Sequence, residues 1–229
     1  MTSDREAQVA IKDLCLDAAD PAAAATFWSA VLNLTPAARG DEFVLSDHVD
    51  EHTLWVNQVP ETRVVKQRVH LDIATRSVAD LTAIGARVLD DQQFSWTVMT
   101  DPEGGEFCAF VRDPDALPQY RLYEVVVDAE DPERITAWWG DRLGLQPQRG
   151  DEGSFWYLES PDLPWSLTFV AVPEPKTVKN RVHWDVWGVT EELLAVGATL
   201  LRARDDEIRW DVLADPEGNE FDVFAREPR

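Results

Sequence analysis

A chain of 229 residues with 45% hydrophobic and 10% aromatic content can bury a core in one large domain or two small ones, and is not disordered. A formal net charge of −22 repels polyanions, which excludes nucleic acid and anionic membrane as partners. No apolar run is long enough to span a bilayer, the first eight residues hold no apolar signal core, and two cysteines, Cys15 and Cys108, make no disulfide framework, so a soluble cytoplasmic protein is expected.

In chain order, residues 9–17 alternate apolar and polar side chains, the period of a strand. Asp20-Pro21 supplies a helix cap and a first-turn proline, and an Ala-rich helix follows to Leu32, with Phe27, Val31 and Leu34 near helical spacing. Gly40-Asp41 turns the chain into strands at 42–46 and 53–59, joined by a polar connection. A second unit has a strand at 67–73, a short helix at 76–84 stopped by Gly85, and strands at 87–89, 96–100 and 107–111. A polar stretch with two prolines, 113–119, reads as the linker between domains at 1–115 and 120–229.

The second half repeats the plan. A strand at 122–128 leads to Asp131-Pro132 and a helix at 135–143, with Trp138 and Trp139 where the first half has Phe27 and Trp28. Strands follow at 153–158 and 166–171. Arg181-Val-His-Trp-Asp-Val-Trp187 then matches Arg68-Val-His-Leu-Asp-Ile-Ala74. A helix at 191–196 stops at Gly197, and strands at 199–202 and 209–214 complete the unit. Each half closes on one phrase, Asp101-Pro-Glu-Gly-Gly-Glu-Phe and Asp215-Pro-Glu-Gly-Asn-Glu-Phe, a tight turn feeding a strand. Asp20 and Asp131 are 111 positions apart, His70 and His183 are 113, and Asp101 and Asp215 are 114. So small a drift marks a tandem duplication.

These landmarks together resemble the glyoxalase/bleomycin-resistance/extradiol-dioxygenase (vicinal-oxygen-chelate) superfamily, in its glyoxalase-like branch. The resemblance covers nearly the whole chain twice. It implies an α+β fold of tandem glyoxalase-like domains, each of paired βαβββ modules forming a half-open β cup with helices outside. It is weaker on function, because one fold hosts lyases, isomerases, dioxygenases and binding proteins.

Alternation then says what faces the cup. Val69, Leu71 and Ile73 form an apolar face for the helices, leaving His70 and Asp72 inward; His183, Asp185 and Trp187 follow suit in the second half. On the first strands Asp13, Cys15 and Asp17, and Glu124, Val126 and Asp128, face inward. On the closing strands Glu106, Cys108 and Phe110, and Glu220, Asp222 and Phe224, do so. The ligand-binding cup is therefore expected from Asp13, His70, Asp72, Cys108, Phe110, Asp185, Trp187, Glu220 and Phe224.

Matched to the family's metal positions, the first half offers Asp13, His70 and Cys108, a soft thiol beside hard donors. The second offers Glu124, His183 and Asp222, able to hold Mn, Fe or Zn, with Glu220 as a substitute for the shorter Asp222. Each histidine can equally serve as a hydrogen-bonding residue in a wet cleft. The degraded ligand sets favour a protein that binds a small aromatic or apolar molecule in its β cup, with no cofactor firmly implied. The alternative is a divalent-metal-dependent lyase or dioxygenase using Glu124, His183 and Asp222. The expected partner is a small-molecule ligand, and a homodimer is the assembly left open.

Overall fold

The computed structural model describes residues 7–61, 63–150 and 153–225. Four βαβββ modules follow one another. The first holds β1 (Ala10–Ala18), α1 (Pro21–Leu32), β2 (Thr35–Arg39), β3 (Glu42–Ser46) and β4 (Leu54–Gln58). The second holds β5 (Val69–Thr75), α2 (Val78–Ala83), β6 (Arg87–Asp90), β7 (Thr97–Thr100) and β8 (Glu106–Val111). The third holds β9 (Leu122–Ala129), α3 (Pro132–Leu143), β10 (Gln148–Arg149), β11 (Phe155–Leu158) and β12 (Ser166–Ala171). The fourth holds β13 (Val182–Gly188), α4 (Thr190–Ala195), β14 (Thr199–Arg202), β15 (Asp211–Ala214) and β16 (Glu220–Ala225).

The long helices begin where the sequence says they should. Asp20 Oδ1 accepts from the Ala23 amide at 3.0 Å and Asp131 Oδ1 from the Arg134 amide at 3.1 Å, each followed by proline in the first turn. No helix among the described residues is long and apolar enough to cross a membrane.

The strands form two open eight-stranded sheets, ordered β14-β15-β16-β13-β1-β4-β3-β2 and β10-β11-β12-β9-β5-β8-β7-β6. The tandem glyoxalase-like architecture of paired modules is present, and the pairing runs across the halves. Sheet one joins modules one and four through antiparallel β1 and β13, and sheet two joins modules two and three through antiparallel β5 and β9. The chain changes sheet twice, in the crossovers from β4 to β5 and from β12 to β13.

Each long helix sits between the sheets. Helix α1 packs beside β3 and β4 of sheet one, while its Phe27 and Trp28 meet Phe107 of sheet two with ring centroids 6.0 and 5.4 Å apart. Helix α3 packs on β11 and β12 of sheet two, while Trp139 meets Trp184 and Phe221 of sheet one at 5.2 and 5.0 Å. One core therefore serves both sheets.

The repeated Asp-Pro-Glu-Gly turn is the clasp between them. Asp101 Oδ1 accepts from the amides of Glu103 and Gly105 at 2.9 and 2.6 Å, and Asp215 Oδ1 from those of Glu217 and Asn219, both at 2.9 Å. Gly104 and Gly218 take φ of 83° and 84°, which a β-carbon would oppose. The glutamate then reaches the other sheet. Glu103, just before β8, accepts from the Ala19 and Asp20 amides at 3.1 and 2.7 Å, at the start of α1. Glu217, just before β16, accepts from the Glu130 and Asp131 amides at 2.8 Å each, at the start of α3.

Two strands escape the sequence reading. Pro36 argues against a strand at 35–39, yet β2 lies at the free edge of sheet one, where a missing N–H is tolerated. The two-residue β10 holds the corresponding edge of sheet two and is too short to show a period.

Replacing Glu217, whose side chain is 5% exposed, by alanine leaves two amides at the start of α3 without their acceptor. Loss of two charge-assisted bonds is expected to lower stability in urea by about 2–4 kcal/mol. A change below about 0.5 kcal/mol, the scatter of ordinary surface substitutions, would show that the clasp does not hold the sheets.

Candidate functional site

Strand alternation places the site residues as their sequence parity requires. Val69, Leu71 and Ile73 are fully buried on the helix side, while His70 and Asp72 lie on the opposite face. Val182, Trp184 and Val186 behave likewise, with His183 and Asp185 opposite.

In sheet one, Cys15 stands across from His183, Asp13 across from Asp185, and Asp185 beside Asp222. The His183 Nε2 lies 3.5 Å from Asp222 Oδ2 and 4.0 Å from Asp185 Oδ1. Cys15 Sγ–H points to Asp185 Oδ1 at 3.5 Å, and Trp55 Nε1 donates to Asp13 Oδ2 at 3.2 Å. A bulge between Ile11 and Asp13 turns Lys12 onto this face as well. Its ammonium lies 2.5 Å from Asp13 Oδ2, 3.6 Å from Asp185 Oδ2 and 4.1 Å from the Phe224 ring centroid. Alternation alone could not reveal Lys12; only the bulge does.

Above this floor Trp210 stacks on Phe224 at 5.2 Å, and Trp187 meets Phe224 edge-on at 5.9 Å. Burial pushes Asp185 well above the usual carboxylate range, with Asp13 and Asp222 adding to the push and Lys12 opposing it. The same burial, reinforced by Asp185, Asp13 and Asp222, holds Cys15 as a neutral thiol. Asp13 Oδ1 and His183 Nδ1 are buried without a partner.

Sheet two repeats the geometry with different chemistry. Asp72 stands across from Glu124 and beside Cys108, and Thr168 Oγ1 donates to Glu124 Oε1 at 2.5 Å, the counterpart of Trp55 and Asp13. Burial raises Asp72 well above its ordinary value, and the charge and hydrogen bond of Glu124 raise it further, so Asp72 holds a proton against Glu124. Burial and then Lys66 pull His70 down to about 4, leaving it neutral. The 3.4 Å approach of His70 Nε2 to Asp72 Oδ1 is thus a contact between two neutral groups. Burial and Asp72 keep Cys108 a thiol. Over this floor Phe94 stacks on Trp96 at 4.7 Å and Trp96 on Phe110 at 5.3 Å, and Phe110 meets Tyr123 edge-on at 5.2 Å.

The expected metal set is corrected by the pairing of modules. Glu124 belongs to sheet two with Asp72, whereas His183 and Asp222 belong to sheet one, where Asp13 takes the first-strand place. Cys108 likewise joins His70 and Asp72 without Asp13. Glu220 is not on the floor: it accepts from Lys176 Nζ at 2.6 Å and the Asn180 amide at 3.1 Å, holding the second crossover. The two cysteines lie in different sheets, each free.

A divalent ion needs deprotonated donors. Sheet two offers His70, Asp72 and Cys108, a soft thiol beside harder donors, with Asp72 engaged by Glu124. Sheet one fits better: Cys15, His183 and Asp185 offer donor atoms within 4.8 Å of one another, Asp222 Oδ2 lies 3.5 Å from His183 Nε2, and Asp13 Oδ1 and His183 Nδ1 are buried without partners. Lys12 would have to withdraw.

The sequence matches the Glyoxalase-like domain model over residues 13–110 and again over 124–224. The comparison with curated proteins gives no match. Among solved structures, glyoxalase I from Zea mays aligns at 15% identity over 94% of this chain and 92% of that one, with a TM-score of 0.64. A putative dioxygenase from Bacillus subtilis aligns at 12% identity over 97% and 87%, with a TM-score of 0.67. At these identities the likeness is one of fold.

Asp72 keeps its proton in the fold at pH values where an unfolded aspartate has lost it. Its contribution to stability is complete below the ordinary carboxylate value of about 4 and is lost as pH rises through the raised folded value. Asp72→Asn keeps a donor toward Glu124 with no proton to lose. Its urea midpoint is expected to fall less than that of the wild type between about pH 5 and pH 8. Parallel pH profiles would mean that Asp72 is ionised in the fold.

Proposed function

The chain belongs to the glyoxalase-like domain family, and within it we propose that this protein binds a small aromatic or apolar molecule in the cup of sheet one. The observation that carries the reading is an aromatic rim of Trp187, Trp210 and Phe224 above a floor with two unpartnered buried polar atoms, Asp13 Oδ1 and His183 Nδ1. A flat ring can stack on the rim, while a hydroxyl or amine on its edge donates to Asp13. An acidic floor disfavours an anionic ligand. The cup of sheet two is the weaker candidate, because Thr168 and protonated Asp72 already serve Glu124 and its floor has one unpartnered buried atom, Asp72 Oδ1, against two in sheet one.

A second reading rests on the same two unpartnered atoms. His183, Asp222 and Asp13 would hold a divalent Mn, Fe or Zn ion, which would supply a Lewis acid for adjacent substrate oxygens. Lys12 speaks for the first reading, since its ammonium already pairs with Asp13 at 2.5 Å, a carboxylate that the ion would need.

Catechol, a flat ring with two adjacent hydroxyl donors, separates the two in isothermal titration with and without chelator. Binding of one catechol per chain regardless of chelator, weakened about tenfold by Trp210→Ala, is the expected result. Binding that appears only with added Mn²⁺, Fe²⁺ or Zn²⁺, and that His183→Ala abolishes while His70→Ala does not, would replace the first reading with the second.

A further inference from the structure

Away from the two cups, the crossovers that carry the chain between sheets run side by side and line a cleft of about 220 Å³. Arg63, Lys66 and Arg68 come from the first crossover, Lys179 and Arg181 from the second. Five of the chain's 21 lysines and arginines thus face one small cleft, in a protein whose formal net charge is −22. The duplication sets them in equivalent places, since Lys66 and Lys179, like Arg68 and Arg181, are 113 positions apart.

The lysines are paired: Lys66 Nζ lies 3.0 Å from Asp128 Oδ2 and Lys179 Nζ lies 2.6 Å from Asp17 Oδ2. The guanidiniums are not. Arg68 donates to the backbone carbonyls of Glu174 and Asp128 at 2.7 and 2.9 Å, and Arg181 to those of Asp17, at 3.5 Å, and Glu61. Arg63 donates to the side-chain carbonyl of Gln67. Among the described residues, none of the three has a carboxylate within ion-pair distance. Asp101, Glu106 and Glu103 attract Arg63 from farther off, while Arg181 repels it. Neutral carbonyls orient these groups without a direct ion pair, and Nε of both Arg63 and Arg68 is buried without an acceptor.

We infer that this cleft is a second binding site, for a small oxyanion of the phosphate class, held by Arg63, Arg68 and Arg181. Planar guanidiniums offer paired N–H donors that match phosphate oxygens, and a tetrahedral anion can present one edge to Arg68 and another to Arg181. The cleft is smaller than the roughly 300–1,000 Å³ of drug-sized sites, which limits the ligand to the oxyanion and a modest substituent. Because both crossovers contribute, a bound anion ties together the two segments that join the sheets.

Isothermal titration of the full chain with inorganic phosphate tests this. One phosphate per chain is expected, with affinity reduced about tenfold by Arg181→Gln, as loss of a charge-assisted contact implies. Lys66→Gln alters a side chain that is 62% exposed and whose charge is already paired with Asp128, so it should weaken binding by a smaller factor than Arg181→Gln. His183→Ala, in the cup, should leave phosphate binding unchanged. Phenyl phosphate run beside inorganic phosphate distinguishes the source of the group: tighter binding of the ester indicates a phosphorylated metabolite, and equal binding indicates the free ion. No binding to the wild type at millimolar phosphate, binding that survives Arg181→Gln unchanged, or binding lost in His183→Ala would overturn the inference.

Discussion

The structure depends on a carboxylate that crosses from one sheet to the other. Glu103 and Glu217 each leave a turn at the head of a closing strand and receive two backbone amides at the start of a long helix in the opposite sheet. The amides before a helix have no partners of their own and carry its positive dipole end, so an anion there is doubly favoured. Asp101 and Asp215 hold the turn that aims the glutamate, and Trp139 Nε1 donates to Asp215 Oδ2 at 3.1 Å, fixing the turn against α3. With the helices pinned between the sheets, their aromatic faces fill the space common to both. The most conspicuous repeat in the chain is therefore a device of assembly and lies outside the floors of the cups.

That assembly decides the chemistry of the cups. Each floor draws half its residues from each copy of the duplicated unit, so equivalent positions meet partners from the other copy. Asp13 in sheet one corresponds to Glu124 in sheet two, Asp222 to Cys108, and Lys12 to Tyr123 on the matching bulges. Both sheets hold a proton on the buried aspartate, Asp185 against Asp13 and Asp72 against Glu124, and sheet one adds a lysine. Burial makes both solutions necessary, because unpaired charges there are strongly disfavoured. Among the described residues, the floor of sheet one keeps two unpartnered atoms, Asp13 Oδ1 and His183 Nδ1, and that of sheet two keeps Asp72 Oδ1.

Much of this is legible in the residues. A strict period of two put His70, Asp72, His183 and Asp185 on one face and the valines, leucines and Trp184 on the other, and a pleated strand leaves no choice in the matter. The caps at Asp20 and Asp131 and the four-fold βαβββ plan were equally readable. What could not be read is which modules share a sheet. All four first strands present the same kind of edge, and nothing local distinguishes β13 from β5 as the partner of β1, so the sequence alone does not show that His183 shares its sheet with Asp13 and not with Glu124. The bulge that turns Lys12 inward is a property of the pairing and leaves no mark in the alternation. The cleft between the crossovers was hidden for the same reason, since its five cations converge only once both segments are in place.

The central claim, that each cup requires strands from both halves, is tested most directly by expressing residues 1–115 alone and measuring their mass by sedimentation equilibrium alongside near-ultraviolet circular dichroism. Alone, β1 and β5 lack the antiparallel partners β13 and β9. The half is expected to be either unfolded or a dimer in which a second copy supplies the missing strands. A monomer with cooperative unfolding and a fixed aromatic signal would contradict the account.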